Sequence, residues 1–176
     1  IADNSMTGQS ERRNSAVQTA QVAARFLSEE DGPRIASFSI GGWDTHASQK
    51  GRINNKLRQL DAVFARLKAG LGDHWKKTTL VAISEFGRTV AANGTQGTDH
   101  GTGGLAFVLG GAVKGGRILG DWPGLQSNQL YEGRDLRPTT DMRALLKSVL
   151  ASGFHISEAA LAERIFPESR DVKPMD

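Results

Sequence analysis

TTLVAISEFGR, residues 78 to 88, is the stretch on which the fold turns. Its first seven residues form a short apolar run with β-branched side chains at Thr78, Thr79, Val81 and Ile83, the composition of a strand covered on both faces. The run ends abruptly in Glu85, Gly87 and Arg88, so the strand is expected to deliver its chain into a charged loop. On the C-terminal side, Glu85 to Gly103 has five glycines and little apolar periodicity. A loop of that length is uncommon unless it is functional. Leu105 to Leu109 (LAFVL) is the next strand candidate, and Gly115 to Leu119 a short further one.

On the N-terminal side, Gln49 to Leu71 carries Ile53, Leu57, Leu60, Val63, Phe64 and Leu67 at helical spacing, with Gly70 or Gly72 as its end. Before it, Arg34 to Ile40 (RIASFSI) alternates as a strand and runs into Gly41-Gly42. Ser15 to Glu30 reads as a helix stopped by Gly32-Pro33, and residues 1 to 15 as an extended lead-in. Toward the C-terminus, Thr139 or Thr140 is expected to cap a helix with Met142, Leu145, Leu146, Val149 and Leu150 on its apolar face, stopped at Gly153. A last helix is expected from Ser157-Glu158 to Ile165, before Pro167. This alternation predicts one α/β domain over residues 1–176, a three-layer sandwich around a mostly parallel sheet. Ligands in that architecture gather beyond the carboxyl ends of the strands.

Composition narrows the chemistry. The chain of 176 residues has no cysteine, which excludes disulfides, thiolate nucleophiles and cysteine-held zinc. Any metal must be held by His, Asp or Glu. The 22 Lys and Arg against 19 Asp and Glu give a net charge of +3, with the positive residues scattered and without an aromatic stacking series. That pattern argues against a nucleic-acid partner. No apolar run approaches the roughly 20 residues of a membrane helix.

Three polar clusters remain, each beside an expected strand. In Gly41-Gly42-Trp43-Asp44-Thr45-His46 the glycines allow a sharp turn, and the one-residue gap lets the Asp44 carboxylate and His46 imidazole face one way in an extended segment. Both are good ligands for a divalent ion, zinc above all, with manganese or calcium as alternatives. The plainer reading is that Asp44 caps the following helix. In Ser84-Glu85-Phe86-Gly87-Arg88, Glu85 offers a ligand or base and Arg88 a fork for an anionic ester, unless the two pair internally. In Thr98-Asp99-His100-Gly101-Thr102-Gly103-Gly104, Asp99 and His100 are both candidate ligands, or Asp99 orients the His100 ring, and the glycines allow backbone N–H groups to approach an anion. His74 and His155 sit in contexts that suggest no role. Asn93-Gly94-Thr95 matches the glycosylation triplet but more simply marks a turn.

Taken together, GGWDTH at 41 to 46, LRQLDAVFARL at 57 to 67, SEFGR at 84 to 88, GTDHG at 97 to 101, FVLGGAVKGG at 107 to 116 and TTDMR at 139 to 143 resemble the carboxyl-terminal part of the DUF1501 proteins. These look like distant members of the alkaline phosphatase and sulfatase superfamily, and the resemblance spans residues 35 to about 166. It implies metals beyond the strand ends and hydrolysis of phosphate or sulfate esters. It also implies that Asp44 and His46 are ligands of one metal, Glu85 of another, and His100 the late histidine of the first site. Arg88 has no secure counterpart. The nucleophile of the superfamily lies in an amino-terminal region that has no match in this sequence. Members are typically longer and many carry an export signal, so the resemblance implies part of a larger, periplasmic or exported protein. A non-catalytic module that binds an anion or a protein on the same scaffold is the alternative expectation.

Overall fold

The long amphipathic pattern before residue 71 becomes a pair of helices. The computed structural model describes the backbone of residues 4–175 and the side chains of residues 15–175. Helix α1 (Asn4–Ser28) is buried along Ala16, Ala20 and Ala24, and α2 (Gln49–Leu71) along Gln59, Leu60, Val63, Leu67 and Leu71. The two stripes pack together, small residues against large ones. Approach is closest where a β-carbon on Gly70 would lie 2.7 Å from that of Ala24. The helix begins at Asn4, so residues 4 to 15, expected as an extended lead-in, are helical; residues 1–3 of that lead-in lie outside the described residues. A 3₁₀ turn, Gly72–Lys77, closes α2, and it carries His74.

Helices α1 and α2 belong to a first compact unit that runs to Thr78 and takes in Ala91–Asp99 and Gly110–Ala112; Thr79–Val90, His100–Leu109 and Val113–Asp176 make a second. Arg34–Ile40, expected as a strand, is irregular and mostly exposed, with Ile35 66% accessible. Alternation alone is not enough, because a strand needs a hydrogen-bonding neighbour and this segment has no ladder partner among the described residues.

The second unit contains the strands, all short. β1 (Leu80–Ala82) pairs with β4 (Phe107–Leu109), Val81 opposite Val108, and β2 (Gly87–Arg88) pairs with β3 (His100–Gly101), Arg88 opposite His100. Both ladders are antiparallel. The mostly parallel sheet of a three-layer sandwich is therefore not formed among the described residues, although helices and strands do make a mixed α/β chain. The cause is topological. A parallel neighbour needs a crossover, usually a helix. The connection from β1 to β4 has no helix and folds back on itself, which gives antiparallel pairs. For the same reason β1 is only half-buried rather than covered on both faces, and Ile83 beyond it is exposed. Gly115–Leu119 forms no strand, and Ile118 is fully exposed.

Helix α3 (Met142–Phe154) is capped by Asp141, not by Thr139 or Thr140: its carboxylate accepts from the Arg143 N–H at 2.8 Å. The helix passes Gly153 and ends at His155, which adopts a left-handed conformation (φ 54°). Ser157 caps the next turn, α4 (Glu158–Ala160), by accepting from the Ala160 N–H, and Leu161–Ile165 continues it as a π-turn before Pro167. Among the described residues no helix is long and apolar enough to cross a membrane.

Candidate metal centre

The first cluster is fixed from below by a lysine. The Lys56 ammonium of α2 donates to the Gly41 carbonyl at 2.7 Å and to Gln59 Oε1 at 3.0 Å, and it fills the space a side chain on Gly42 would need. Gly42 turns the chain at φ 88°, a conformation glycine adopts without strain. Beyond it the predicted alternation holds: Thr45 is buried at 1% accessibility, while Asp44 and His46 on either side are exposed.

Asp44 does not cap α2. Ser48 takes that place with a left-handed backbone and no side-chain bond. The first N–H groups of the helix are satisfied instead by the loop 91–99: Ser48 N donates to the Thr95 carbonyl at 3.0 Å, and Gln49 N to that of Gln96 at 2.9 Å. Thr98 N donates to the Thr45 carbonyl at 3.3 Å, and Thr98 Oγ1 to Gln49 Oε1 at 2.8 Å. Gly97 is buried against the His46–Ala47 backbone, so close that an added β-carbon would lie 2.1 Å from the His46 carbonyl carbon. The loop thus replaces a cap, and in doing so brings Asp99 to His46.

The outcome is an imidazole between two carboxylates. His46 Nε2 lies 2.8 Å from Asp44 Oδ1, and His46 Nδ1 lies 3.2 Å from Asp99 Oδ1. All three side chains are about half exposed. A neutral imidazole carries one N–H and can donate to only one of the two carboxylates. Asp99, read from sequence as a ligand or as the partner of the neighbouring His100 ring, here engages the ring of His46, which the sequence did not indicate.

In the second unit, Arg88 and His100 face each other across the β2–β3 ladder, and both use Phe86. The His100 ring stacks on Phe86 with centroids 4.8 Å apart and an 18° interplanar angle, while the Arg88 guanidinium lies 4.9 Å from the Phe86 centroid. A guanidinium over a ring face at this distance is attracted by the ring's negative quadrupole. Glu85 is exposed at the bend before β2, and it belongs to no metal-capable group among the described residues.

The glycines here serve a different end from the one expected. A β-carbon on Gly87 would lie 2.0 Å from the Gly103 carbonyl oxygen, one on Gly101 2.6 Å from the Arg88 backbone, and one on Gly103 2.4 Å from the Leu136 carbonyl oxygen. They allow three backbone segments to lie against one another: Arg88 N donates to the Gly103 carbonyl at 3.3 Å, and Leu136 N to that of Arg88 at 3.4 Å. Asp135, buried beside Arg134 with 2.8 Å between Nε and Oδ1, helps to fix this crossing.

The hydroxyls of Thr98 and Thr102 are engaged, and that of Thr45 is buried without a hydrogen-bond partner among the described residues. Thr45 is buried, Thr98 donates to Gln49, and Thr102 Oγ1 donates to the Leu136 carbonyl at 3.3 Å. No curated protein and no solved structure matches the chain. A family model described as a protein of unknown function, DUF1501, matches residues 2–166. The chain belongs to that family.

Proposed function

We propose that this DUF1501 domain binds a divalent metal ion through Asp44 and His46 Nε2, while Asp99 orients the His46 ring from its other nitrogen. The observation that carries the reading is the 2.8 Å approach of Asp44 to His46 Nε2 with Asp99 at 3.2 Å from Nδ1. Two ligands on one zinc ion, with bonds of about 2.0–2.1 Å, stand roughly 3 to 3.4 Å apart. The Asp44–His46 separation is close to such an edge. A metal-bound histidine characteristically donates its other ring N–H to a carboxylate, the role given to Asp99. An imidazole nitrogen and a carboxylate oxygen are both good ligands for zinc.

A bound ion of this kind polarises a phosphoryl or sulfuryl oxygen. The motif resemblance points to phosphate or sulfate esters as the source of such an oxygen. A second reading, anion binding without turnover, is favoured by the burial of Thr45 and the engagement of Thr98 and Thr102, which leave those hydroxyls ill placed as nucleophiles.

Calorimetric titration of chelator-treated protein with zinc and with manganese tests the metal site. Saturable one-to-one binding that is lost in His46→Ala and in Asp44→Ala supports it, and no binding in the wild type sinks it. Hydrolysis of nitrophenyl phosphate and nitrophenyl sulfate separates the two readings: turnover lost with His46→Ala supports the esterase, and phosphate binding without turnover supports the anion-binding module.

A further inference from the structure

We infer that Asn93 is a positioning residue of this site, a fixed amide that holds the Asp99 carboxylate against His46 Nδ1. The inference rests on the metal-site reading for its function, but its geometry stands within the first unit alone. An asparagine amide has two N–H donors and one acceptor oxygen. Here Nδ2 donates at 3.0 Å to Asp99 Oδ1 and at 3.0 Å to the His46 carbonyl. Oδ1 accepts from Thr95 N at 3.0 Å, from Gly97 N at 3.0 Å and from Thr95 Oγ1 at 2.9 Å.

This pattern fixes which way the amide points. Turned over, it would set its oxygen against a carbonyl and a carboxylate, and its N–H groups against two backbone N–H groups. One residue therefore reads both sides of the site. It grips the backbone of His46, and it holds the Asp99 oxygen that meets the His46 ring. Thr95 adds a hydroxyl 2.6 Å from the same His46 carbonyl. The Asn93-Gly94-Thr95 triplet thus has a use inside the site. Both N–H groups of the Asn93 amide are engaged, so the residue is not an acceptor for a sugar in the folded chain.

The consequence is directional: with Asp99 held on Nδ1, Nε2 is the nitrogen left toward Asp44 and the ion. Asn93→Asp would keep the acceptor for Thr95 and Gly97 but set oxygen in place of N–H against both Asp99 and the His46 carbonyl.

The test compares wild type, Asn93→Ala and Asn93→Asp, the last of which keeps the loop's acceptor while removing both donors. Two quantities are read: zinc affinity by calorimetry, and the ¹⁵N resonances of the metal-free His46 ring at one fixed pH. We expect both variants to weaken zinc binding by tenfold or more and to displace the Nδ1 resonance. An unchanged ring resonance in either folded variant would overturn the inference. If Asn93→Ala fails to fold, Asn93→Asp decides alone: a displaced ring resonance supports the role and a wild-type one refutes it. Should the wild type bind no metal, the metal reading fails, and the role of Asn93 is judged on the metal-free ring resonance.

Discussion

Asp99 Oδ1 meets His46 Nδ1 at 3.2 Å across 53 positions of sequence, on the opposite side of the ring from Asp44. The two carboxylates are therefore not equivalent. Asp44→Asn removes a proposed ligand and should lower zinc affinity by more than a hundredfold, whereas Asp99→Asn removes an orienting partner and should cost about 10- to 100-fold. Calorimetric titration of both variants measures the difference, and equal losses would mean that Asp99 is itself a ligand.

Gly97 has no room for a methyl group. With His46 backbone atoms at 2.1 and 2.2 Å from the added β-carbon, Gly97→Ala must push the loop 91–99 off the His46 backbone. A loss of about 1–3 kcal/mol is expected, as for other overpacked sites, together with weakened zinc binding. Gly94→Ala, which meets nothing within 4 Å, is the matched control and should leave binding and melting temperature unchanged.

Lys147 is fully buried on α3, and its ammonium donates to the carbonyls of Ser169 and, at 2.7 Å, Val172. Ser148 Oγ adds a bond of 2.8 Å to the Met175 carbonyl, so the C-terminal segment is seated on α3 by polar contacts. Lys147→Met keeps much of the volume but leaves two carbonyls without their donor, a cost of about 1–3 kcal/mol for each that stays buried. Trypsin cleavage after Arg170 should accelerate in the variant. Cleavage at the wild-type rate would show that the segment is held by something else.

Asp141 is the cap of α3, and its hydrogen bond with Arg143 holds the carboxyl below the ordinary carboxylate range. A depressed folded value means that the cap stabilises the chain above the unfolded carboxylate pKa. The contribution is lost as pH falls through the lower folded value. Asp141→Ala should cost about 1 kcal/mol at neutral pH, less to the extent that the exposed pair with Arg143 is screened by solvent. The gap between variant and wild type should close in acid, as thermal melts at pH 7 and pH 2.5 would show.

The helices were legible because their signals are local. Ile53 to Leu67 repeat at helical spacing, and α2 spans the predicted Gln49 to Leu71. At α3 the pattern gave the helix but missed its cap by one residue, since Thr139, Thr140 and Asp141 are all competent caps and Thr139 is instead bonded to the Asp121 carbonyl at 2.9 Å. The strands were legible only as segments. RIASFSI and LAFVL look alike in composition, yet only the second contributes a strand, because a ladder exists only where a distant segment supplies the other half of each hydrogen bond.

The same division runs through the site. By itself the sequence determined which residues could hold a metal, which loops carry them, and that Asp44 and His46 share a face with Thr45 opposed, since each follows from side-chain chemistry or from backbone alternation over neighbouring positions. Only the tertiary structure decided that the strands pair antiparallel, that Asp99 turns to the ring of His46, and that Asn93 holds it there. The last two depend on which backbone groups α2 leaves unsatisfied at its first turn and on a loop more than 40 residues away in the chain arriving to bond them. No periodicity within either segment encodes that meeting.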